Sequence, residues 1–418
     1  MNYADTIEYL FGRKRLGMKY GLERMDALLA DLGNPQRRFR TIHVVGTNGK
    51  GSTTALLSEI SRQLGYKTGR TTSPHLLDYR ERVSIDGRWI PPGAVTGFVK
   101  EYRPLIEKHE ATFFEITTAM AAWHFAANGA QWVIAEAGLG GRLDATNTYA
   151  GETTIFTGVD IEHARILGRT RSAITREKLA IAAPGTLLVA ARHPSYVERT
   201  IRQVVEESSL LRALPVEPEA SPLEGPHQIR NAGLALAAAL LTFEKSEEEI
   251  RAAFGRACSD LRWPGRLDLR RGRPDILFDV AHNPQSLARL CGHLEQRERP
   301  VAGVVGFLED KPWRRMASQL RGYLDPVVAT TPLSDRLLRA SALAVEFQRL
   351  GIRCTPLDGI EQAMEEGRRL AADLLVVTGS FYVVGEAMLS SWRRGWISPP
   401  EGEEAQVLDT PEPVRGKQ

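Results

Sequence analysis

The sequence predicts an α/β protein of two domains, each a mainly parallel sheet wrapped by helices. Three observations carry that expectation. A glycine-rich corner joins a short apolar run to a helix-like run, strand-like and helix-like segments alternate after it, and a second such alternation begins beyond "RWPGRLDL". At 418 residues the chain also exceeds the usual size of one hydrophobic core.

The corner lies in "TIHVVGTNGKGSTTALL", which starts at Thr41. Ile42, Val44 and Val45 read as a buried strand, while Ala55, Leu56, Leu57, Ile60 and Leu64 recur at helical spacing, so the glycines occupy a strand-to-helix turn. Gly46, Gly49 and Gly51 lack the Cβ atoms that would keep a phosphate off backbone N–H groups, and Lys50 supplies a point charge for the outer phosphates. The corner reads as a nucleotide phosphate loop. It is compact, with only Thr47 and Asn48 between Gly46 and the Gly49-Lys50 pair. A turn selected only for tight packing would need neither Lys50 nor Ser52.

Further along come a helix near 95 to 128, strands at "WVIAEAG" and "TTIFTGVD", and a helix through "ITREKLAIAA". The second set holds β-rich runs at "DILFDVA", "VAGVVGFL", "PVVATTPL" and "LLVVTGSFYVV", with helices at "PQSLARLCGHLEQ" and "IEQAMEEGRRLAADL" between them. The expected division is 1–262 for the first domain and 263–398 for the second, with the boundary near Trp263-Pro264-Gly265. Residues 399–418, rich in proline and glutamate with little to bury, are expected to be a disordered tail.

Composition excludes several classes. Charged residues at 25% and hydrophobic residues at 43% suit a soluble globular protein, and no apolar run nears the roughly 18 residues of a membrane span. The N-terminal stretch lacks the layout of a secretory signal, so a cytoplasmic address is expected. Cys258, Cys291 and Cys354 are odd in number and far apart, which argues against a disulfide framework or a cysteine metal site. A net charge of +3 without a basic, aromatic-interleaved run argues against nucleic acid and leaves room for an anionic small substrate.

Four further places could carry chemistry. "TTSPHLLDYRERVSIDG" sets Ser73, His75, Glu81 and Arg82 just after the strand "KTGRTT", and strand ends near a phosphate loop are where α/β ligands sit. In "AEAGLGGRLDATN", Glu136 ends an apolar strand and Gly138, Gly140 and Gly141 turn the chain, which suits either a magnesium ligand or a cap on the turn's own N–H groups. "DIEHARILG" offers Glu162 and His163, although a lone histidine is more often structural than a ligand. Lys178 stands beside Leu179, Ala180 and Ile181, where a lysine ordinarily lays its stem on apolar surface and sends its charge to solvent.

Taken together, "KYGLERM", "HVVGTNGKGS", "TTSPHLLDYRERVSIDG", "FFEITTAMAAWHF", "EAGLGGRLDATN", "EHARILG", "REKLAIAAPG", "HQIRNAGLALAAAL", "WPGRLDL", "DVAHNP" and "VVTGSFYVVGEAM" occur in an order that resembles the folylpolyglutamate synthase and dihydrofolate synthase family of the Mur ligase superfamily. The resemblance runs from about Leu10 to Met388. It implies an N-terminal P-loop ATPase domain, a smaller Rossmann-like C-terminal domain that binds glutamate, and an ATP-dependent ligase joining L-glutamate to dihydropteroate or a reduced folate through an acyl phosphate. Transfer of a phosphoryl group between anions needs charge neutralisation and alignment rather than a covalent nucleophile, in keeping with these residues.

By the same resemblance, Gly49, Lys50, Gly51 and Ser52 contact the ATP phosphates, and Ser73, Glu136 and His163 ligate magnesium, with two ions expected. Lys178 is implied to carry a carbamate and to assist the second ion; Lys50, Lys178 and His163 form the implied catalytic set. Asn231 is implied to touch the nucleotide, as are Arg266 and Asp279 from the second domain, so that closure would complete the site. A surface pair with Asp268 is the plainer use for Arg266. The pterin or folate would lie near Thr112, Phe113, Phe114 and Glu115 and near Asp144, Ala145 and Thr146, with Gly21 to Arg24 adding to that pocket. Phe113 and Phe114 also suit an ordinary core. His282 and Ser380 would seat glutamate. A monomer acting on small molecules, with no nucleic-acid or membrane partner, is expected.

Two departures stand out. Where the family reads Leu-Asp-His, this chain reads Ile161-Glu162-His163, and the stretch 185–225 is shorter than the family's strand-rich insertion. The rival readings are a Mur-type ligase acting on another carboxylate and a nucleotide-binding regulator without turnover. Retention of Lys50, Glu136, His163 and Lys178 argues against the regulator.

Overall fold

The computed structural model describes residues 1–13, 21–331, 338–398 and 402–409. These fall into two compact units. The first comprises Met1–His75, Tyr79–Pro222 and Pro226–Arg262, and the second Leu76–Asp78, Leu223–Gly225 and Trp263–Gln418.

In the first unit, β1 (Arg40–Val45), β2 (Thr68–Thr71), β3 (Val83–Ile85), β4 (Arg88–Trp89), β5 (Trp132–Glu136), β6 (Gly151–Phe156), β7 (Leu187–Ala190) and β8 (Leu211–Ala213) form a sheet in the order β4-β3-β2-β5-β1-β6-β7-β8. The strands from β2 to β8 in that order run parallel, while β3 and β4 turn back antiparallel at one edge. The chain fills one side of β1 and then crosses to the other. The loops after β1, β5 and β6 therefore share the crevice at a topological switch point, where open α/β sheets hold ligands.

The second unit repeats the plan on a smaller scale. Its strands β9 (Asp268–Arg270), β10 (Asp275–Asp279), β11 (Val301–Val305), β12 (Leu324–Thr330), β13 (Cys354–Leu357) and β14 (Leu374–Thr378) lie in the order β13-β12-β11-β14-β10-β9. Only β9 is antiparallel among them, and β14 inserts between β10 and β11. Both faces of such a sheet are covered, so the strands are continuously apolar rather than alternating. Leu277, Val305, Phe307, Val327, Phe347 and Val376 meet in one buried cluster.

Three expectations from sequence are corrected. The helix expected near 95 to 128 is two helices, Pro92–Lys108 and Phe113–Ala127. A capping box separates them: the Thr112 hydroxyl accepts the Glu115 N–H and the Glu115 carboxylate accepts the Thr112 N–H, which outweighs the apolar periodicity that runs across the break. The run "LLVVTGSFYVV" is strand only to Thr378. Ser380 then caps a helix, Phe381–Arg393, by accepting the Val383 N–H, so β-branched residues are carried in the helix by their burial. In the tail expected to be disordered, Gly402–Asp409 forms a 3-10 helix, because Glu404 finds Arg270 and Val407 is buried. The rest of that tail, 399–401 and 410–418, lies outside the described residues, as do Lys19 and Tyr20 of "KYGLERM" and the end of "PVVATTPL".

Candidate active site

The phosphate loop follows β1 and opens the helix Lys50–Gln63, with Gly49 at its N-cap in a left-handed conformation at φ +88°. No longer side chain fits there. A Cβ on Gly49 would lie 2.5 Å from Asn231 Oδ1, so the amide of Asn231, carried on the helix Pro226–Thr242, rests directly on the loop. Gln228 orients that amide by accepting from Asn231 Nδ2 at 2.8 Å. On the opposite side Thr157, just past β6, donates its hydroxyl to the Asn48 carbonyl at 2.7 Å, and the Thr47 N–H donates to the Gly158 carbonyl at 2.9 Å. Thr157 and Gly158 escape a sequence reading because they touch the loop only through space. Ser52 is buried in the first turn of the helix.

Lys50 and Glu136 converge on this loop. Lys50 Nζ lies 3.8 Å from Glu136 Oε1, and Glu136 Oε2 accepts the Ser73 N–H at 3.2 Å. The sheet explains the meeting: β1 pairs with β5 in parallel register up to Val44↔Glu136, so the carboxylate ends level with the start of the loop. Lys178 is buried and donates from Nζ to the Gly46 carbonyl at 2.7 Å. The next residue, Leu179, packs into a core with Val45, Phe156 and Leu188, which pins the lysine on the inner face of its helix, away from water. Burial, then the charge of Lys50, pushes the Lys178 pKa down to about 7 against the pull of Glu162 and Asp144. The glycine turn after Glu136 packs on the same helix: a Cβ on Gly141 would sit 2.1 Å from the Lys178 carbonyl oxygen.

His163, exposed, caps the short helix Ala164–Leu167 with φ +51° and has Nε2 3.7 Å from Glu162 Oε1. The lengthened acid of this chain thus stands beside the histidine. Among the described residues no three histidine, cysteine, aspartate or glutamate side chains gather as a protein cage for a metal. What the loop does offer is one carboxylate, Glu136, which the Ser73 N–H orients without itself being a metal ligand. A hard cation that keeps waters and phosphate oxygens in its shell needs few protein ligands of that kind, so the donor set fits magnesium.

The segments implied for the pterin are largely engaged with one another. Glu115, besides its capping role, pairs with Arg24 at 3.1 Å. Phe113 stacks on Phe11 with ring centroids 5.1 Å apart, and the Phe114 ring lies where a Cβ on Gly138 would come within 2.5 Å. Asp144 is buried and accepts from the Leu139 N–H at 2.8 Å, the Thr146 N–H at 3.0 Å and the Thr146 hydroxyl at 2.6 Å. Burial pushes its carboxyl pKa up while those donors hold it down. Ala145 and Thr146 are buried as well, and the Thr146 carbonyl meets Nε2 of His43 on β1 at 2.9 Å.

In the second unit, Asp268 is taken by Arg270 in a two-point contact at 2.7 and 3.0 Å. Arg266 instead places its guanidinium 5.0 Å from the centre of the Phe381 ring and donates to the Gly265 carbonyl at 3.0 Å. His282 approaches the same ring at 5.5 Å and has Nδ1 2.9 Å from the Val280 carbonyl. Asp279, at the end of β10, accepts the Leu267 N–H at 2.9 Å and the Ala281 N–H at 3.0 Å. Ser380 is buried at its N-cap position.

A compact glycine-rich loop on a parallel sheet, followed by a second α/β unit, gives a two-domain frame, and its similarity to known proteins identifies it as a ligase of the Mur type. Residues 265–381 match the family model described as Mur ligase, glutamate ligase domain. Over 426 residues the chain is 31% identical to the dihydrofolate synthase/folylpolyglutamate synthase of Bacillus subtilis, covering 92% of this chain and 98% of that protein. The chain belongs to the folylpolyglutamate synthase/dihydrofolate synthase family. It is also 32% identical to a probable bifunctional folylpolyglutamate synthase/dihydropteroate synthase of Haloferax volcanii, covering 95% of this chain but only 51% of that longer protein. Among solved structures, it resembles the Mycobacterium tuberculosis folylpolyglutamate synthase complexed with ADP (28% identity, TM-score 0.83, 96% of this chain and 99% of that one). It likewise resembles Escherichia coli FolC in complex with DHPP and ADP (28%, TM-score 0.82, covering 94% and 100%). A Yersinia pestis bifunctional synthase complexed with AMPPNP and Mn ion is similar at 27% identity and TM-score 0.79, covering 93% of this chain and 98% of that one.

Proposed function

We infer that the protein is an ATP-dependent amide ligase that adds L-glutamate to dihydropteroate, to a reduced folate, or to both. The observation that supports this most directly is the convergence of Lys50, Glu136 and Lys178 on one phosphate loop, with 3.8 Å between Lys50 and Glu136 and 2.7 Å between Lys178 and Gly46. A loop that only bound nucleotide would not need two lysines and a carboxylate at its rim. The names of the relatives and the ligands of the solved structures supply the substrate class.

In this reading the helix N-terminus at Gly49–Ser52 receives the phosphates and Lys50 offsets charge on the γ-phosphoryl group as it moves. That group passes to an oxygen of the acceptor carboxylate, ADP leaves, and the glutamate amine attacks the acyl carbon to expel phosphate. Magnesium, held by Glu136, Ser73 and His163, would supply further neutralisation of the phosphate oxygens. Asn231 lies against the loop in a position suited to the nucleotide. Arg266 and Asp279 are assigned to the nucleotide, while His282 and Ser380 are assigned to glutamate.

Lys178 is proposed to carry a carbamate. Attack on carbon dioxide requires the neutral amine, and burial places its titration at about 7, so a large share of neutral amine exists at physiological pH. The carbamate nitrogen keeps one hydrogen, enough to preserve the bond to the Gly46 carbonyl. Carbon-13 NMR with labelled bicarbonate should give a carbamate resonance that vanishes in Lys178→Ala, along with at least a hundredfold loss of turnover. A bare amine at Lys178 in protein that is turning over would overturn this assignment.

The function itself is tested by incubating the protein with ATP and L-glutamate, first with dihydropteroate and then with tetrahydrofolate, and following phosphate release and product mass. A mass gain of one glutamyl unit with stoichiometric phosphate is expected with at least one acceptor. Phosphate release with neither product would overturn the acceptor class, and no phosphate release would overturn the ligase reading.

A further inference from the structure

We infer that Glu404, in the C-terminal segment, is a positioning residue for Arg266. The inference rests on the assignment of Arg266 to the nucleotide. Its observations lie wholly within the second unit.

Arg266 sits in a turn that the backbone does not adopt easily. Gly265 has φ +70° and Leu267 φ +49°, so two left-handed residues flank the arginine, one of them a branched side chain. Such a turn persists only when its surroundings fix it. One anchor is Asp279, which accepts the Leu267 N–H at 2.9 Å. The other is Asp268, whose Oδ2 accepts the Gly265 N–H at 3.1 Å. Asp268 is in turn gripped by Arg270, from Nε at 2.7 Å and from Nη2 at 3.0 Å. The same Nη2 reaches Glu404 Oε1 at 2.6 Å, and the Glu404 side chain is only 4% exposed.

The contacts form a continuous relay from the C-terminal segment to the turn: Glu404 to Arg270, Arg270 to Asp268, Asp268 to the Gly265 amide, and Gly265 to Arg266 through the carbonyl that accepts Arg266 Nη1 at 3.0 Å. Burial makes the first link matter. An exposed ion pair contributes little, whereas one shielded from water holds its geometry and charges are costly to leave alone there. With Glu404 present, the Arg270 guanidinium is fixed between two carboxylates. Without it, the guanidinium is held by Asp268 alone, and the pair that aims Oδ2 at the Gly265 amide loosens. The segment Gly402–Asp409 thereby acts as a strap on the turn that presents Arg266 to ATP.

The test compares Glu404→Ala and Glu404→Gln with Arg266→Ala in the full chain. Amide hydrogen exchange at Gly265 should accelerate at least tenfold in both Glu404 variants, and the KM for ATP should rise about threefold to tenfold while kcat stays within twofold. Glu404→Asp should recover part of both effects. Unchanged exchange at Gly265 overturns the strap. Faster exchange with an unchanged KM overturns the positioning role if Arg266→Ala does raise the KM. If Arg266→Ala also leaves the KM unchanged, it is the assignment of Arg266 that fails, and the positioning role falls with it.

Discussion

Glu136 and Asp279 stand at the same place in their two sheets, each the last residue of a buried parallel strand, and they lead different lives. Glu136 faces a lysine ammonium at 3.8 Å and takes an amide hydrogen from Ser73. Asp279 takes two, from Leu267 and Ala281, one on each oxygen. The difference is one methylene and one loop. The shorter aspartate stays close to its own backbone and ties down the turns on either side of it, as short acids commonly do. The longer glutamate reaches past its backbone to the glycine-rich loop and Lys50. Two acids at matching strand ends are thus held differently: Glu136 by a lysine and one neighbouring loop, Asp279 by the backbone of the turns around it.

The sharpest way to break the comparison is to remove the charge that faces Glu136. Lys50→Ala should lower phosphate release by two to three orders of magnitude, corresponding to about 3–4 kcal/mol of transition-state stabilisation, with an unchanged circular dichroism spectrum. Turnover within tenfold of the parent would make Lys50 a structural partner of Glu136 and no more.

Next come the two acids themselves. Glu136→Gln should cost at least a hundredfold in turnover with a melting temperature within a few degrees of the parent. Asp279→Asn turns one acceptor oxygen into an amide that opposes a backbone N–H, so about 1–3 kcal/mol of stability should be lost, with a smaller effect on turnover. Denaturant unfolding and steady-state kinetics on both variants decide the matter. Equal stability losses, or the reverse order in kinetics, would erase the distinction.

A further contrast between the two units is in pH. His43, fully buried on β1, has its pKa pushed down to about 4 by burial, and His124 is lowered to about 4 for the same reason. A histidine depressed in the folded state favours folding above its unfolded pKa of about 6.5, and that stability is lost as pH falls from there toward 4. For His43 the loss is about 3 kcal/mol at its limit. Asp279 has the opposite sign: burial raises its carboxyl pKa, so the penalty it carries is relieved as the solution is acidified. Asp144, also raised, partly offsets the histidines of the first unit at the acid end of the range. Hydrogen exchange followed between pH 7 and pH 4.5 should show the core of the first unit loosening before that of the second. His43→Gln should reduce that difference.

How far these features were legible depends on how local their causes are. The phosphate loop, its strand and its helix were written in a short run around Gly46–Leu64, because glycine permissiveness and apolar spacing act over a few residues. Lys178 announced itself by standing next to Leu179 and Ile181. The break at Thr112 was also local, a capping box present in the letters and masked by a continuous apolar pattern. The helix after Ser380 was masked in the same way by its valines.

By itself, then, the sequence determined the two α/β units, the phosphate-binding corner and the residue types gathered around it, since each of these follows from short-range periodicity and backbone preference. Tertiary structure alone decided the pairings. Asn231 rests on Gly49, Thr157 closes under Asn48, Arg270 rather than Arg266 claims Asp268, and a buried glutamate in an apparently featureless tail finds a half-buried arginine. Asp268 and Arg270 are two residues apart on one strand, and the other partners are more than a hundred apart in the chain. Which acid meets which base is fixed by sheet order, strand register and burial, and none of those is set by the spacing of residues along the chain.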